Sequence, residues 1–565
     1  MRRSTLFLLF LIFYGSTFAR GRELTYRWFY LGTNLLVGEN VDRAIKVMER
    51  AAKAGYNGVL LADYKFNILD RMPERYFQNA KRVKRKAEEL NLDIIPAVMP
   101  IGYSNGLLAH NPNLAEGLPV RDAPFIVKNG SADILPDPQT KLNNGDFEEV
   151  AGNRFLGWAF QDGIGRSTFA DRSIVYAGRI SLRMERIGEA DPSHGLCRLS
   201  QEVKVKPFRY YHISAWIKSE GFETPDRVRI LVLDPKGRSL NYADLNVRPT
   251  QEWKEHHIVF NSLDNYKVRI YIGVWGGRGG KLWWDNVKLE EIGLVNVLRR
   301  KGCPLIVKGE DGTVYEEGRD FEPVRDERLG VVPWPGEFEV YHKPPKIKLT
   351  PNSRIKEGQK LLVSFYHPVI IYGGQVAVCL SEPEVYDLLE DQVKRVNELF
   401  HPKGFMMSHD ELRVANWCKL CLSRRMTPGE LLADNVRRCI GIIRKVNPTA
   451  RIFVWSDMFD PYHNAHDNYY LVNGDLSESW SGLTKDVTIV NWYFKARERN
   501  LPWFARRGHK QILAGYYDSP RLYTPLWIRD AERLGVGGSV IGVMYTTWRH
   551  NYSDLERFAE AVWGR

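Results

Sequence analysis

The chain has 565 residues, 44% hydrophobic and 26% charged, which is ordinary globular material but too long for one simple core, so two or three domains are expected. Its net charge of +12 favours anionic neighbours, yet the positive residues are scattered among Asp and Glu without the dense basic stripe of a nucleic-acid binder, which argues against nucleic acid as a partner. Six cysteines are too few to scaffold a chain of this length with disulfides.

Arg2 and Arg3 precede an apolar run over 6–14 and the small-residue stretch Thr17-Phe18-Ala19, the pattern of a secretory signal covering residues 1–19 and cleaved after Ala19. The run is far short of the roughly 20 residues that cross a bilayer. The mature chain is therefore expected to be secreted or periplasmic, with no membrane partner. Strand-like and helical patterns then alternate: strand 29–32, helix 41–54, strand 58–63, a Lys/Arg-rich helix 76–90 and strand 93–99. That alternation is the signature of a parallel α/β domain, and its first part is placed at 24–135.

From 140 to 292 the helical period vanishes. Short alternating stretches such as 211–217 and 268–274 are separated by Gly, Pro, Asp and Asn turns, as in an all-β sandwich. The opening Asn143-Asn144-Gly145-Asp146-Phe147-Glu148, with Gly157-Trp158 after it, and the close Leu282-Trp283-Trp284-Asp285-Asn286-Val287 resemble the two ends of jelly-roll carbohydrate-binding modules. The resemblance implies a structural calcium near Asn144, Asp146 and Asp285. Trp158, Trp216, Trp253 and Trp275 are either glycan-stacking or core residues.

Residues 293–358, rich in Pro, Gly and charge with β-like pieces such as 337–341, are expected to form a small β extension. Alternation resumes over 359–565: strand 361–366, helix 382–399, strand 405–408, helix 428–446, strands 452–455, 487–492 and 512–517, helix 524–534, strand 540–545 and helix 554–562. With the three early strands this makes about eight parallel strands and an extra one near Leu361. The predicted fold is α/β: a (β/α)8 TIM barrel interrupted after its third strand by the jelly-roll sandwich and the small β extension. Cys418-Lys-Leu-Cys421 is the single local cysteine pair, compatible with a disulfide, half of a metal site or two free thiols.

Active sites of such barrels lie at the C-terminal ends of the strands. The residues just past each apolar run are Asp63, Tyr103, His409-Asp410-Glu411, Trp455 with Asp457, Asn491-Trp492, Tyr516 with Asp518, and Trp548 with His550. Aromatic faces stack on sugar rings, and carboxyls accept hydrogen bonds or protonate a glycosidic oxygen. The set reads as a pyranose subsite, with an oligosaccharide or polysaccharide as substrate. His409 reads as a neighbour of the pair rather than a base. The loop from Asp460 to Asp467 has His463 and His466 at HxxH spacing, which fits a sugar-contacting or solvated loop better than a metal site.

Pro383-Glu384-Val385-Tyr386 leading through Val393 to Leu399-Phe400, then 405–411, Val454-Trp455-Ser456-Asp457, Asn491-Trp492, Tyr516-Tyr517-Asp518 and Trp548 follow one another in an order that resembles glycoside hydrolase family 20, the exo-acting β-N-acetylhexosaminidases. The resemblance covers the barrel portions alone, about 24–120 and 360–565. It implies Glu411 as general acid/base and Asp410 as the residue orienting the substrate 2-acetamido group, whose carbonyl takes the place of an enzyme nucleophile. It further implies that Tyr516 donates to the acetamido oxygen, that Trp455, Trp492 and Trp548 wall the pocket, and that neither a cofactor nor a barrel metal is required; Asp63, Asp457, Asp518 and His550 are expected substrate contacts from their strand-end positions.

Ser408 stands where the family has Gly, Met406 where it commonly has His, and His550 where it has a hydroxyl-gripping Glu; 29–34 lacks the first-strand Arg. These departures put the identity of the hexose in doubt. Two alternatives follow: a glycosidase of the same fold pairing Glu411 with Asp457 or Asp518 on a sugar without an acetamido group, and a carbohydrate-binding protein without turnover.

Overall fold

The computed structural model describes residues 24–564; the expected signal segment lies outside them. Eight parallel strands close into a barrel in sequence order: Tyr26–Gly32, Gly58–Ala62, Asp93–Val98, Gly404–Met407, Arg451–Trp455, Thr488–Asn491, Gln511–Tyr516 and Val540–Thr546. The first strand pairs with the last, Trp28 against Met544 and Phe29 against Tyr545. The third pairs directly with the fourth, Ala97 against Met406 and Val98 against Met407, although the whole insertion lies between them.

Period-two alternation divides each strand between two cores. Trp28, Leu60, Ile95, Met406, Phe453, Val490, Ile512 and Met544 fill the barrel. Their neighbours Phe29, Val59, Ile94, Phe405, Ile452, Ile489, Leu513 and Val543 face outward into the main core. There they meet amphipathic helices such as Gly38–Lys53, which buries Val41, Ala44, Met48 and Ala51, and Pro428–Val446, started by a capping box between Thr427 and Glu430. Among the described residues no helix is long and apolar enough to cross a membrane.

The insertion contains two antiparallel sheets. One has five strands in the order Gln251–Asn261, Tyr210–Glu220, Lys281–Glu291, Ser181–Glu185 and Thr168–Asp171; the other has Val228–Leu233, Lys267–Trp275, Leu196–Lys204 and Phe160–Gln161. Trp158 and Trp284 are buried in the core. Trp216, by contrast, is partly exposed, with Tyr176 stacked on it at 3.8 Å and Trp253 beside them.

A third sheet corrects the expected extra barrel strand. Lys360–His367 pairs antiparallel with Leu118–Lys128 and Ile306–Gly309, in a six-stranded sheet that also takes in Ser131–Ile134, Val314–Tyr315 and Ile347–Lys348. The physical reason is its burial alternation, one face buried and one partly open, whereas Gly404–Met407 is buried on both faces. The sheet therefore draws together segments assigned from sequence to the barrel's first part, the extension and the barrel's remainder.

Candidate functional site

A cavity of about 700 Å³ opens over the ends of the barrel strands, lined by Asp63, Tyr103, Ser408, Asp410 and Glu411 and by the rings of Tyr30, Trp455, Trp492, Tyr517 and Trp548. The aromatic wall is continuous: Trp548 lies 4.8 Å from Tyr30, 5.9 Å from Trp455 and 5.8 Å from Tyr517, and Trp492 is parallel to Tyr517 at 5.7 Å. Such a wall presents apolar faces to a ring with polar edges.

The carboxyl pair enters this cavity on a backbone pinned from both sides. Glu411 adopts a left-handed conformation, φ 50°, rare for a residue with a side chain. Its N–H donates to Asp457 Oδ2 at 2.9 Å and its carbonyl accepts from Gln375 Nε2 at 2.9 Å. Gly102 packs so closely on the pair that an added Cβ would overlap the Asp410 carbonyl oxygen. The Glu411 carboxylate forms an ion pair with Arg413 at 2.6 Å and accepts from the Tyr103 hydroxyl. Arg413 also donates to Gln375 Oε1. Burial, followed by the charges of Asp457 and Glu411, pushes the Asp410 carboxyl up to about 8, and burial raises Asp457 in the same direction. His409 is buried behind the pair, its Nε2 3.0 Å from Asn435 Oδ1, and burial lowers it to about 4.

Several expected contacts are placed differently. Tyr516 does not reach the cavity: it stacks on Tyr545 at 4.2 Å, donates to Asp554 and accepts from Asn551. Three successive left-handed residues, Tyr516, Tyr517 and Asp518, break the strand alternation at this point and turn Tyr517 inward instead. Asp457 has no solvent exposure; its oxygens accept from Glu411 N, Asn464 Nδ2 and Trp492 Nε1, so it braces the wall from behind. Asp518 accepts from the Thr547 hydroxyl and from the N–H groups of Trp548 and Arg549, and so holds the loop carrying Trp548. His550 lines a neighbouring depression with Gly32 and Asn34. Asp63 does line the main cavity, but its carboxylate accepts from Leu35 N, Lys65 N and the Tyr76 hydroxyl. His463 is stacked on Tyr493 at 4.0 Å and meets the edge of Trp492.

Tyr30, Tyr517, Arg413 and Gln375 were not anticipated from sequence. The inward alternation of Trp28 and Tyr30 on the first strand holds a signal for Tyr30. Gln375 carries none, because it comes from a loop some 36 residues from Glu411 in sequence.

In the sandwich, Asp285 accepts from Tyr176 N and Ala177 N, Asn144 bonds Glu149 and Leu156 backbone atoms, and Asp146 is exposed.

No curated protein sequence matches the chain significantly. Among solved structures it is similar to a rhamnosidase from Novosphingobium sp. PP1Y (11% identity, 95% of this chain and 58% of that one, TM-score 0.35). It is also similar to a glycoside hydrolase family 20 β-N-acetylglucosaminidase (8%, 96% and 69%, TM-score 0.32) and to the CBM22-1 xylan-binding domain from Paenibacillus barcinonensis Xyn10C (19%, 28% and 96%, TM-score 0.21). Residues 139–278 match the family model described as a carbohydrate binding domain.

Proposed function

We propose that the chain is a glycoside hydrolase that takes a terminal sugar into the barrel-end cavity, and that this sugar is a β-linked N-acetylhexosamine. The observation that carries the proposal is the opening of the adjacent Asp410 and Glu411 carboxyls into one cavity walled by Tyr30, Trp455, Trp492, Tyr517 and Trp548. Glu411 is the proton donor to the leaving oxygen and then the base for the incoming water. Asp410 orients the 2-acetamido group, whose carbonyl attacks the anomeric carbon. Tyr517 takes the role expected of Tyr516, as the hydroxyl beside the acetamido group. Asp457 and Asp518, the alternative partners for Glu411, are engaged outside the cavity lining, which favours the acetamido-assisted route over an enzyme nucleophile. The inserted sandwich retains glycan near the barrel, with Tyr176, Trp216 and Trp253 as its stacking platform.

Release of 4-nitrophenol from the N-acetyl-β-glucosaminide, compared with the β-glucoside and β-galactoside, tests the assignment. Turnover is expected on the acetamido sugar, with Glu411→Gln slower by about 10²- to 10⁴-fold. Equal turnover of the glucoside would remove the acetamido role. A wild type as inert as Glu411→Gln on all three, yet retaining glycan, would make the protein a carbohydrate binder.

A further inference from the structure

All six cysteines are buried thiols, and they are not dispersed evenly. Cys379, on the loop before helix Pro383–Phe400, lies 3.5 Å from Cys418 and 3.5 Å from Cys421, sulfur to sulfur. Cys421 Sγ is also 3.6 Å from Glu116 Oε2. The four donor atoms of Glu116, Cys379, Cys418 and Cys421 lie within 4.8 Å of one another, and each residue is at most 2% exposed. A disulfide needs sulfurs about 2.05 Å apart. A tetrahedral zinc with bonds of about 2.3 Å to sulfur sets its sulfurs roughly 3.7 Å apart. The observed spacing fits the edge of the second figure.

Hydrogen bonds order the same groups. Cys418 caps the short helix Lys419–Ser423, its sulfur accepting from Cys421 N at 3.4 Å. Glu116 Oε1 accepts from Trp417 N and Cys418 N, which leaves Oε2 turned towards the sulfurs. Cys303 is buried against Gly117, the residue after Glu116. The Arg300 guanidinium, buried close by, bonds Ala115 O, Asn113 O and Glu382, supplying positive charge beside a site of negative ligands.

We propose that Cys379, Cys418 and Cys421, with Glu116 Oε2 closing the tetrahedron, bind one divalent zinc ion as a structural site. Each thiol loses its proton to solvent on binding. Three parts of the chain are thereby tied together: the loop after the third barrel strand through Glu116, the loop before Pro383–Phe400 through Cys379, and the segment running from Glu411 through Arg413 to the CxxC pair. The site lies outside the sugar cavity, so this inference stands or falls separately from the proposed glycosidase.

The test is the metal content of the full-length chain purified from zinc-supplied cells and desalted, measured by plasma mass spectrometry. About one zinc per chain is expected for wild type and for Cys197→Ser, a control in the sandwich. Cys379→Ser and Cys421→Ser are expected to fall at least tenfold. Should those variants fail to fold, wild type stripped of metal and given Co²⁺ supplies the second readout: an intense visible ligand-field band with near-ultraviolet thiolate-to-cobalt charge transfer. Loss of zinc in Cys303→Ser but not in Glu116→Gln would overturn Glu116 as the fourth ligand. A metal-free wild type that gives no cobalt spectrum, or a disulfide among these cysteines found by mass spectrometry, would overturn the site itself.

Discussion

At Asp410 three conditions unfavourable to a charge meet: burial, the Asp457 carboxyl and the Glu411 carboxyl. A carboxyl raised in this way holds its proton in the native state where the unfolded chain has lost it, so its contribution to stability is whole below pH 4 and is lost as pH climbs through about 8. Asp410→Asn, neutral at every pH, is therefore expected to raise stability at pH 8 by on the order of 1–3 kcal/mol more than at pH 4, measured by chemical denaturation at both. The acetamido role needs Asp410 ionised while Glu411 keeps its proton, so kcat/KM is expected to rise and then fall with pH, and Asp410→Asn to lose the ascending limb. Arg413 is the complementary case. Its guanidinium pairs with Glu411 at 2.6 Å with little exposure, and Arg413→Met is expected to cost on the order of 3 kcal/mol in stability. Arg413→Lys should recover part of that loss, and urea titration reads both. Asp410 and Glu411 were legible in the sequence because a carboxyl pair ending an apolar strand is a local pattern. Arg413 stands two residues further on, but nothing in its spacing says that the left-handed turn at Glu411 bends it back onto its neighbour.

Among the elements, the turn at Tyr516, Tyr517 and Asp518 shapes the site most. By exchanging which tyrosine faces inward it defeats simple alternation, and three consecutive left-handed residues without a glycine carry no propensity signal. Asp518 clamps the loop of Trp548 through two backbone N–H groups and one hydroxyl. Asp518→Ala should release that aromatic wall, raising KM about tenfold or more with a smaller change in kcat, as steady-state kinetics would resolve. Gly102→Ala drives a methyl into the Asp410 carbonyl and is expected to lower kcat at unchanged secondary structure by circular dichroism. Barrel strands such as Gly58–Ala62, Gly404–Met407 and Gln511–Tyr516 were readable as short apolar runs because they are buried on both faces. Lys360–His367 looked alike in composition, and its two-residue periodicity, with Leu361, Val363 and Phe365 on the buried face, was the clue that it belonged to a half-covered antiparallel sheet.

Across the whole molecule, the sandwich touches the machinery around the carboxyl pair. Tyr242 from the insertion packs on Tyr372 at 5.8 Å and Tyr470 at 4.7 Å, and Asp244 accepts from Gly373 N at 2.8 Å. Tyr470 in turn lies 5.0 Å from the Arg413 guanidinium, which pairs with Glu411. Tyr242→Ala is expected to lower kcat on a small aryl glycoside several-fold, an effect that a glycan tether alone would not produce. The contacts of Tyr242 and Asp244 join segments more than a hundred residues apart, which is why no local pattern announced them.

The antiparallel pairing of Leu118–Lys128 with Lys360–His367 also bears on how the chain assembles. Barrel strands three and four must meet across some 300 residues of intervening chain, a separation that makes direct closure slow. The six-stranded sheet has a core of its own around Phe125, Val307, Leu361 and Phe365, and all of its strands precede the fourth barrel strand in the chain. Once that six-stranded sheet pairs, Leu118 lies beside His367, and the loop that remains to be closed shrinks to residues 99–117 and 368–403. Early pairing of that sheet is therefore expected to bring the two halves of the barrel together before its third and fourth strands meet, which stopped-flow refolding with reporters in the two sheets would read.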